Sequence, residues 1–376
     1  MQFIIDITRV FRYRIEKKLM TGIDRVTIAY VRHYGPRAYA LVRWCGRAWL
    51  LPKAESDIVF SWLTHPDIAI NITYVLLRGI VKRVNLACTS PIFLLNTGHV
   101  SPTHDDYSRL MARFPVKPIF FVHDLIPIEY PEYCFAGEDI RHQEKIAFVL
   151  QHAHAIITNS QATYRALKNY HHELPPSIVA WLASSFKNSH HTSCPFNKPY
   201  FVLNSTIEPR KNHLLILQIW RKLQQKYKEN TPHLFVIGKR GWECEQVLDM
   251  LERSKALKST VTELNQCTDD ELKAYIQHCQ AMLMPSFAEG FGLGLVEALT
   301  LKVPVIASDL PVFREIAQEI PEYADPLDGA RWETLVLEYT RMDSALRASQ
   351  LKRLQSYTPP SWEKHFETVD EFLHRV

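Results

Sequence analysis

The chain contains no apolar run long enough to cross a bilayer, which takes about 20 consecutive apolar residues as a helix. Its best apolar window, residues 74–84, is broken by Arg78, Lys82 and Arg83 and reads as a helix with a basic side. The opening Phe3-Ile4-Ile5 is too short for a secretory leader and runs straight into Asp6 and Arg9. Seven cysteines, an odd number with no Cys-x-x-Cys pair, argue against a disulfide framework or a zinc site and for a reducing compartment, so a cytoplasmic location is expected. There is no Asp-x-Asp run to hold a divalent ion and no repeat of solenoid period. Charge of one sign is also scarce: the net charge is only +4, and no basic stripe interleaved with aromatics points to nucleic acid.

What is present is an ordinary globular composition, 47% hydrophobic and 22% charged, on 376 residues, a length that suits two domains. The first fifty residues are locally basic, with Arg9, Arg12, Arg14, Lys17, Lys18 and Arg25 among the cations. A solvated face explains such a patch, and so does contact with anionic lipid or a charged acceptor.

Short apolar runs at 3–6, 39–42, 58–60, 93–95, 119–122, 155–158 and 178–181 read as strands, separated by helical stretches such as 103–114, 137–152 and 160–169. Strands alternating with helices imply a parallel, doubly wound α/β sheet, whose ligands sit beyond the carboxyl ends of the strands. The polar, breaker-rich 183–195 reads as a hinge, after which the pattern restarts with strands at 200–203, 233–237, 281–284 and 303–307. Expected limits are therefore a first Rossmann-like domain over 1–190 and a second over 196–356. A terminal segment, 357–376, carries an amphipathic helix through Phe366, Val369, Phe372 and Leu373. The adjacent pairs His171-His172 and His190-His191 lack the spacing of metal ligands.

The most informative stretch runs from Pro285 to Leu299. An apolar strand gives way to Glu289-Gly290-Phe291-Gly292-Leu293-Gly294 and then to a helical run carrying Glu297. Glycines there let a ligand approach the backbone, and a helix start presents free amides and positive dipole to a diphosphate. If the spacing is helical, the two glutamates lie about a dozen ångströms apart, too far to serve one bond as an acid–base pair. A plain strand–helix joint with two solvated glutamates reads the isolated motif equally well.

The segment resembles the Glu-x7-Glu signature of retaining glycosyltransferases with the two-Rossmann-domain GT-B fold, family 4. That resemblance implies that Glu289 lies by the transferred sugar and Glu297 by the ribose, with Gly290, Phe291, Gly292 and Leu293 around the donor. Gly294 departs from the family, which usually has proline there, as does Leu301-Lys302 before Val303-Pro304-Val305. His123-Asp124-Leu125-Ile126-Pro127, on to Pro131-Glu132, is similar to a stretch of bacterial polysaccharide glycosyltransferases in which the histidine reaches the sugar. Alone, such a histidine reads as well as a packing residue, and Asp124 is either acceptor-side or a cap. Glu208-Pro209-Arg210-Lys211-Asn212 is close to the family's phosphate-binding pattern, which assigns Arg210 and Lys211 to the leaving diphosphate. Gly238-Lys239-Arg240-Gly241-Trp242 resembles the loop near the nucleotide base. Gly22 matches the family's first glycine loop only as a single residue, and a plain helix start fits it too.

The resemblance implies a GT-B enzyme whose terminal helix crosses back to the first domain, moving a hexose from a nucleotide diphosphate sugar without a metal or other cofactor. It favours GDP-mannose as donor, with UDP- or dTDP-sugars open, and as acceptor a growing, lipid-linked glycan of lipopolysaccharide O-antigen, capsule or exopolysaccharide synthesis. The enzyme would then rest on the inner membrane face. The competing reading is a non-catalytic nucleotide-sugar or glycan-binding partner subunit of the same fold. A dinucleotide oxidoreductase is disfavoured because glycines 290, 292 and 294 follow G-x-G-x-G late in the chain.

Overall fold

The computed structural model describes residues 1–18, 20–44, 47–65, 67–81, 84, 86, 91–98, 104–186 and 193–376. Part of the hinge, including His190 and His191, and also Lys82 and Arg83, lie outside the described residues. Two compact units form. The first contains Met1–Leu125, Ile140–Leu182 and Trp362–Val376; the second contains Ile126–Asp139 and Ala183–Ser361.

The first unit holds strands β1 (Gln2–Asp6), β2 (Ala38–Trp44), β3 (Arg47–Leu50), β4 (Ile92–Asn96), β5 (Val116–Val122), β6 (Ala155–Thr158) and β7 (Ser177–Val179), in the sheet order β3-β2-β1-β4-β5-β6-β7. All neighbours are parallel except β2 and β3. The central strands are apolar on both faces, with Phe3, Ile4, Ile5, Leu94, Leu95 and Phe120 buried, as a parallel sheet covered on both sides requires. Sequence order reverses between β1 and β4, which sets a crevice at their carboxyl ends.

One expected strand is a helix: 58–60 lies inside the helix Lys53–Thr64. Ile58, Val59 and Phe60 are contiguous like a strand core, but Glu55, Ser56, Val59, Phe60, Trp62 and Leu63 are buried while Ile58 is 40% exposed. That is a period of 3.6, not a continuous apolar run.

The helix Trp362–Arg375 belongs to the first unit. Phe366, Val369, Phe372 and Leu373 are buried, each burial contributing about 1.5–3 kcal/mol as an upper estimate. His33 stacks on Phe366 with ring centroids 4.0 Å apart, and the Tyr34 hydroxyl donates to Asp370 Oδ1 at 2.9 Å. His365 is held at both ring nitrogens, Nδ1 2.9 Å from the Trp181 carbonyl and Nε2 3.0 Å from the Tyr30 hydroxyl. A carbonyl only accepts, so Nδ1 carries the proton and Nε2 accepts from tyrosine.

The second unit holds β8 (Tyr200–Asn204), β9 (His233–Ile237), β10 (Val261–Leu264), β11 (Met282–Met284), β12 (Val305–Ser308) and β13 (Glu322–Ala324), all parallel in the order β10-β9-β8-β11-β12-β13. Its core gathers Phe201, Leu203, Trp220, Leu234, Leu283, Ile306 and Trp332. Order reverses between β8 and β11, so the loops after these two strands meet at the switch point. The Thr268 and Glu271 capping box opens the helix Asp269–His278, as the sequence suggests.

Acid stability follows from the buried histidines. Burial lowers His123 and His365 to about 4, in each case against bonds to backbone carbonyls that raise it, and lowers His213 to about 3. Unfolded histidine titrates near 6.5, so below that pH the unfolded chain binds more protons and stability falls until the folded values are reached. At pH 5 each of the three costs on the order of 2 kcal/mol relative to pH 7.5. The melting temperature is therefore expected to fall steeply between pH 6.5 and 4. A flat profile across that window contradicts the burial.

Candidate active site

The loop after β8 runs through Glu208 into a tight turn, Pro209–Lys211, with Asn212 left-handed at φ 54° before the helix His213–Tyr227. The loop after β11 runs from Pro285 to Gly292, and its helix begins only at Leu293, continuing to Thr300. Of the eight residues separating Glu289 from Glu297, only the last part is helical, so the helical spacing expected from the sequence does not apply. Gly292 at φ 95° makes the turn, and a Cβ there would lie 2.6 Å from Phe313 Cε1.

Because β8 and β11 are neighbours, these loops interlock. The Phe287 amide donates to the Arg210 carbonyl at 2.9 Å. Arg210 Nη1 donates to the Ala288 carbonyl at 2.7 Å and to Glu289 Oε2 at 2.9 Å, while Nη2 donates to Glu208 Oε1 at 2.6 Å. Lys211 Nζ reaches Glu289 Oε1 at 2.5 Å, and the Ser286 hydroxyl donates to the same oxygen at 2.9 Å. Three of the expected residues, Arg210, Lys211 and Glu289, are thus one cluster. Glu208 and Ser286 complete it. Their roles were not read from the sequence, although both stand within the motifs that carry the resemblance.

Glu208 and Glu289 are buried and the two cations nearly so. Burial alone would raise the Glu289 carboxyl, but Lys211 and Arg210, with the bonds from Lys211 and Ser286, more than offset it and hold the group at about 2. At neutral pH Glu289 is therefore ionised. It cannot donate a proton there, and its lone pairs are engaged by three donors. Two cations face two carboxylates, so the cluster is balanced without a ligand.

The loop after β9 adds Gly238, with φ 145°, and the exposed Lys239. A Cβ at Gly238 would lie 2.1 Å from the Ser205 carbonyl oxygen. Gly238→Ala is expected to destabilise the second unit by at least about 2 kcal/mol, since both the dihedral and the backbone contact forbid a side chain. A urea midpoint equal to wild type contradicts this. Glu297 is buried in the helix Leu293–Thr300, and Phe291 is buried beside Gly290.

His123, Asp124 and Gly22 lie in the first unit. His123 follows β5 and is buried, its Nε2 2.9 Å from the Thr97 carbonyl; Asn159 Nδ2 donates to its carbonyl at 2.9 Å. It is a neutral imidazole with the proton on Nε2. The Asp124 carbonyl lies 3.1 Å from His142 Nε2. Gly22 opens the helix Gly22–Tyr34, capped by Thr21 and Asp24. Among the described residues no group of three or more His, Cys, Asp or Glu is arranged to hold a metal ion, and no helix is long and apolar enough to cross a membrane.

Two parallel doubly wound sheets, each with its own switch point, define the GT-B glycosyltransferase fold. HepE of Anabaena, solved in complex with UDP and glucose, shares that fold with a TM-score of 0.68 at 14% identity over 100% of both chains. Residues 187–320 match the family model for Glycosyl transferases group 1, so the chain carries a domain of that family. The serotype-specific mannosyltransferase WbdA of Escherichia coli is 28% identical over 246 residues, 59% of this chain and 30% of that protein. The O-antigen chain mannosyltransferase RfbU of Salmonella typhimurium is 25% identical over 227 residues, 60% of this chain and 61% of its own length. The chain thus spans under a third of the first relative and less than two thirds of the second.

Proposed function

We propose that this chain is a metal-independent retaining glycosyltransferase of family 4 type, moving mannose from GDP-mannose to a growing glycan in surface-polysaccharide synthesis. The observation that carries the proposal is the Glu208, Arg210, Lys211 and Glu289 cluster at the β8/β11 switch point. The mannosyltransferase relatives support the sugar, and the HepE complex supports a nucleotide diphosphate.

In this reading the bond between the anomeric carbon and the diphosphate oxygen breaks, the acceptor hydroxyl attacks from the same face, and its proton passes to the departing phosphate. Arg210 and Lys211 stabilise the charge that develops on that phosphate, together with the amides near Gly290 and Gly292. A carboxylate held at about 2 is a poor nucleophile, so Glu289 positions the sugar and the two cations. Glu297 takes the ribose, and Gly238, Lys239, Phe291 and Leu293 surround the rest of the donor. His123 serves the transferred sugar, with Asp124 towards the acceptor and Gly22 towards the donor phosphates. The basic patch around Arg12 and Lys18 meets the inner membrane face, from which a lipid-linked acceptor is presented.

A thermal-shift panel tests the donor. With EDTA throughout, GDP-mannose at 100 times its dissociation constant is expected to add about 2.7 kcal/mol, and UDP-glucose, dTDP-rhamnose and NAD much less. Stabilisation by NAD alone overturns the proposal. Stabilisation by GDP-mannose with no transfer to any acceptor supports a non-catalytic partner subunit instead.

A further inference from the structure

The segment Ile126–Asp139 belongs to the second unit and presents a row of rings against its loops. Tyr130 stacks with Tyr133 at 6.1 Å between centroids and 24° between planes, and Tyr133 stacks with Phe287 at 5.3 Å and 9°. Phe135 lies 5.1 Å from Trp242, whose Nε1 donates to the Tyr133 carbonyl at 3.1 Å. These are not core rings: Tyr130 is 40% and Phe135 51% exposed. Exposed apolar surface of this kind marks a binding site more often than chance packing.

We propose that Tyr130, Tyr133, Phe135, Trp242 and Phe287 form a docking strip for an uncharged glycan chain, the growing acceptor polymer, leading to the Glu289 cluster. The proposal rests on the glycosyltransferase reading for its choice of polymer. A pyranose ring has a face of C–H bonds and a rim of hydroxyls. Flat aromatic rings match the face, and the tyrosine hydroxyls and nearby carboxylates match the rim. Charge selects this occupant over others. The segment carries Glu129, Glu132, Glu138 and Asp139 and no Lys, Arg or His, so it repels an anionic lipid surface, a nucleic acid or a phosphorylated chain. Position supports it too. Phe287 lies two residues before Glu289, and its amide is bonded to the Arg210 carbonyl, so the strip ends where the donor sugar is proposed to sit.

The test is a tryptophan-fluorescence titration of the full chain with α-linked mannohexaose and with mannose, beside co-sedimentation with phosphatidylglycerol vesicles. Wild type is expected to bind mannohexaose at least about tenfold more tightly than mannose, as several stacked rings require. The double variant Tyr130→Ala, Phe135→Ala is expected to lose that advantage. Its melting temperature and its stabilisation by GDP-mannose are expected to stay at wild-type values, because both side chains are exposed and lie outside the cluster. Equal mannohexaose affinity in the two proteins overturns the strip, as does absence of mannohexaose binding by wild type. Loss of vesicle binding in the variant with glycan binding unchanged overturns it in favour of a lipid surface. GDP-mannose stabilisation without glycan binding refutes the strip alone, whereas absence of that stabilisation refutes the donor reading beneath it.

Discussion

Glu289→Gln is expected to separate donor binding from transfer. The substitution keeps the side chain's size but removes one of the two charges that balance Arg210 and Lys211. The cluster becomes a net cation, which favours a diphosphate. At the separations seen, one unit of charge near a protein surface is worth about 1–4 kcal/mol, so GDP is expected to bind about tenfold more tightly or better. Transfer is expected to fall by roughly 10²–10³-fold, because the sugar and both cations lose the group that positions them. Calorimetric titration with GDP and turnover measured on the same preparation check the pair of effects. Wild-type turnover removes Glu289 from the site, and weaker GDP binding contradicts the charge balance.

The same carboxyl sets an acid limit distinct from that of the histidines. Its folded value of about 2 lies below the ordinary 4.5. The stabilisation is therefore complete above pH 4.5 and is lost as the pH falls towards 2, on the order of 3 kcal/mol in all. In Glu289→Gln the part of the acid transition below pH 4.5 is expected to shrink.

Arg210→Ala is expected to have the largest effect on stability. Its guanidinium bonds two buried carboxylates and the Ala288 carbonyl at once. Removing it takes that cation from Glu208 and leaves Lys211 to balance two negative charges. Breaking a buried pair in this way costs about 3–5 kcal/mol, a fall in melting temperature on the order of 10 °C for a unit of this size. GDP-mannose stabilisation is expected to vanish with it. Arg210→Lys keeps the charge but not the fork, so much of the stability is expected to return and little of the transfer. Lys211→Met, which removes a cation bonded to Glu289 only, is expected to cost less stability than Arg210→Ala while weakening GDP-mannose comparably. Equal melting temperatures for wild type and Arg210→Ala contradict the cluster.

The strand ends were legible in the sequence because parallel strands buried on both faces are contiguous apolar runs ending in glycine or polar residues, as at β9 and Gly238. The same rule misread 58–60, where three adjacent apolar residues belong to a helix with one exposed member. The edge strand β3, Arg47–Leu50, is short and partly exposed and leaves no such signal. Arg210, Lys211 and Glu289 were each legible as motif residues, but their mutual pairing was not. It depends on β8 and β11 being neighbours although β9 and β10 intervene in the chain. The placement of Ile126–Asp139 was hidden for the same reason. Its contacts are rings and a carbonyl meeting Trp242 and Phe287, more than a hundred residues away.

The most direct test of the central claim is a transfer assay with purified protein, GDP-mannose and an α-mannose-terminated oligosaccharide, in EDTA, read by mass spectrometry of the acceptor. The account predicts an acceptor heavier by one hexose in an α linkage, with one GDP released per transfer and no product from Glu289→Gln on the same timescale. GDP-mannose that stabilises the protein but is never consumed, or product formed equally by Glu289→Gln, contradicts it.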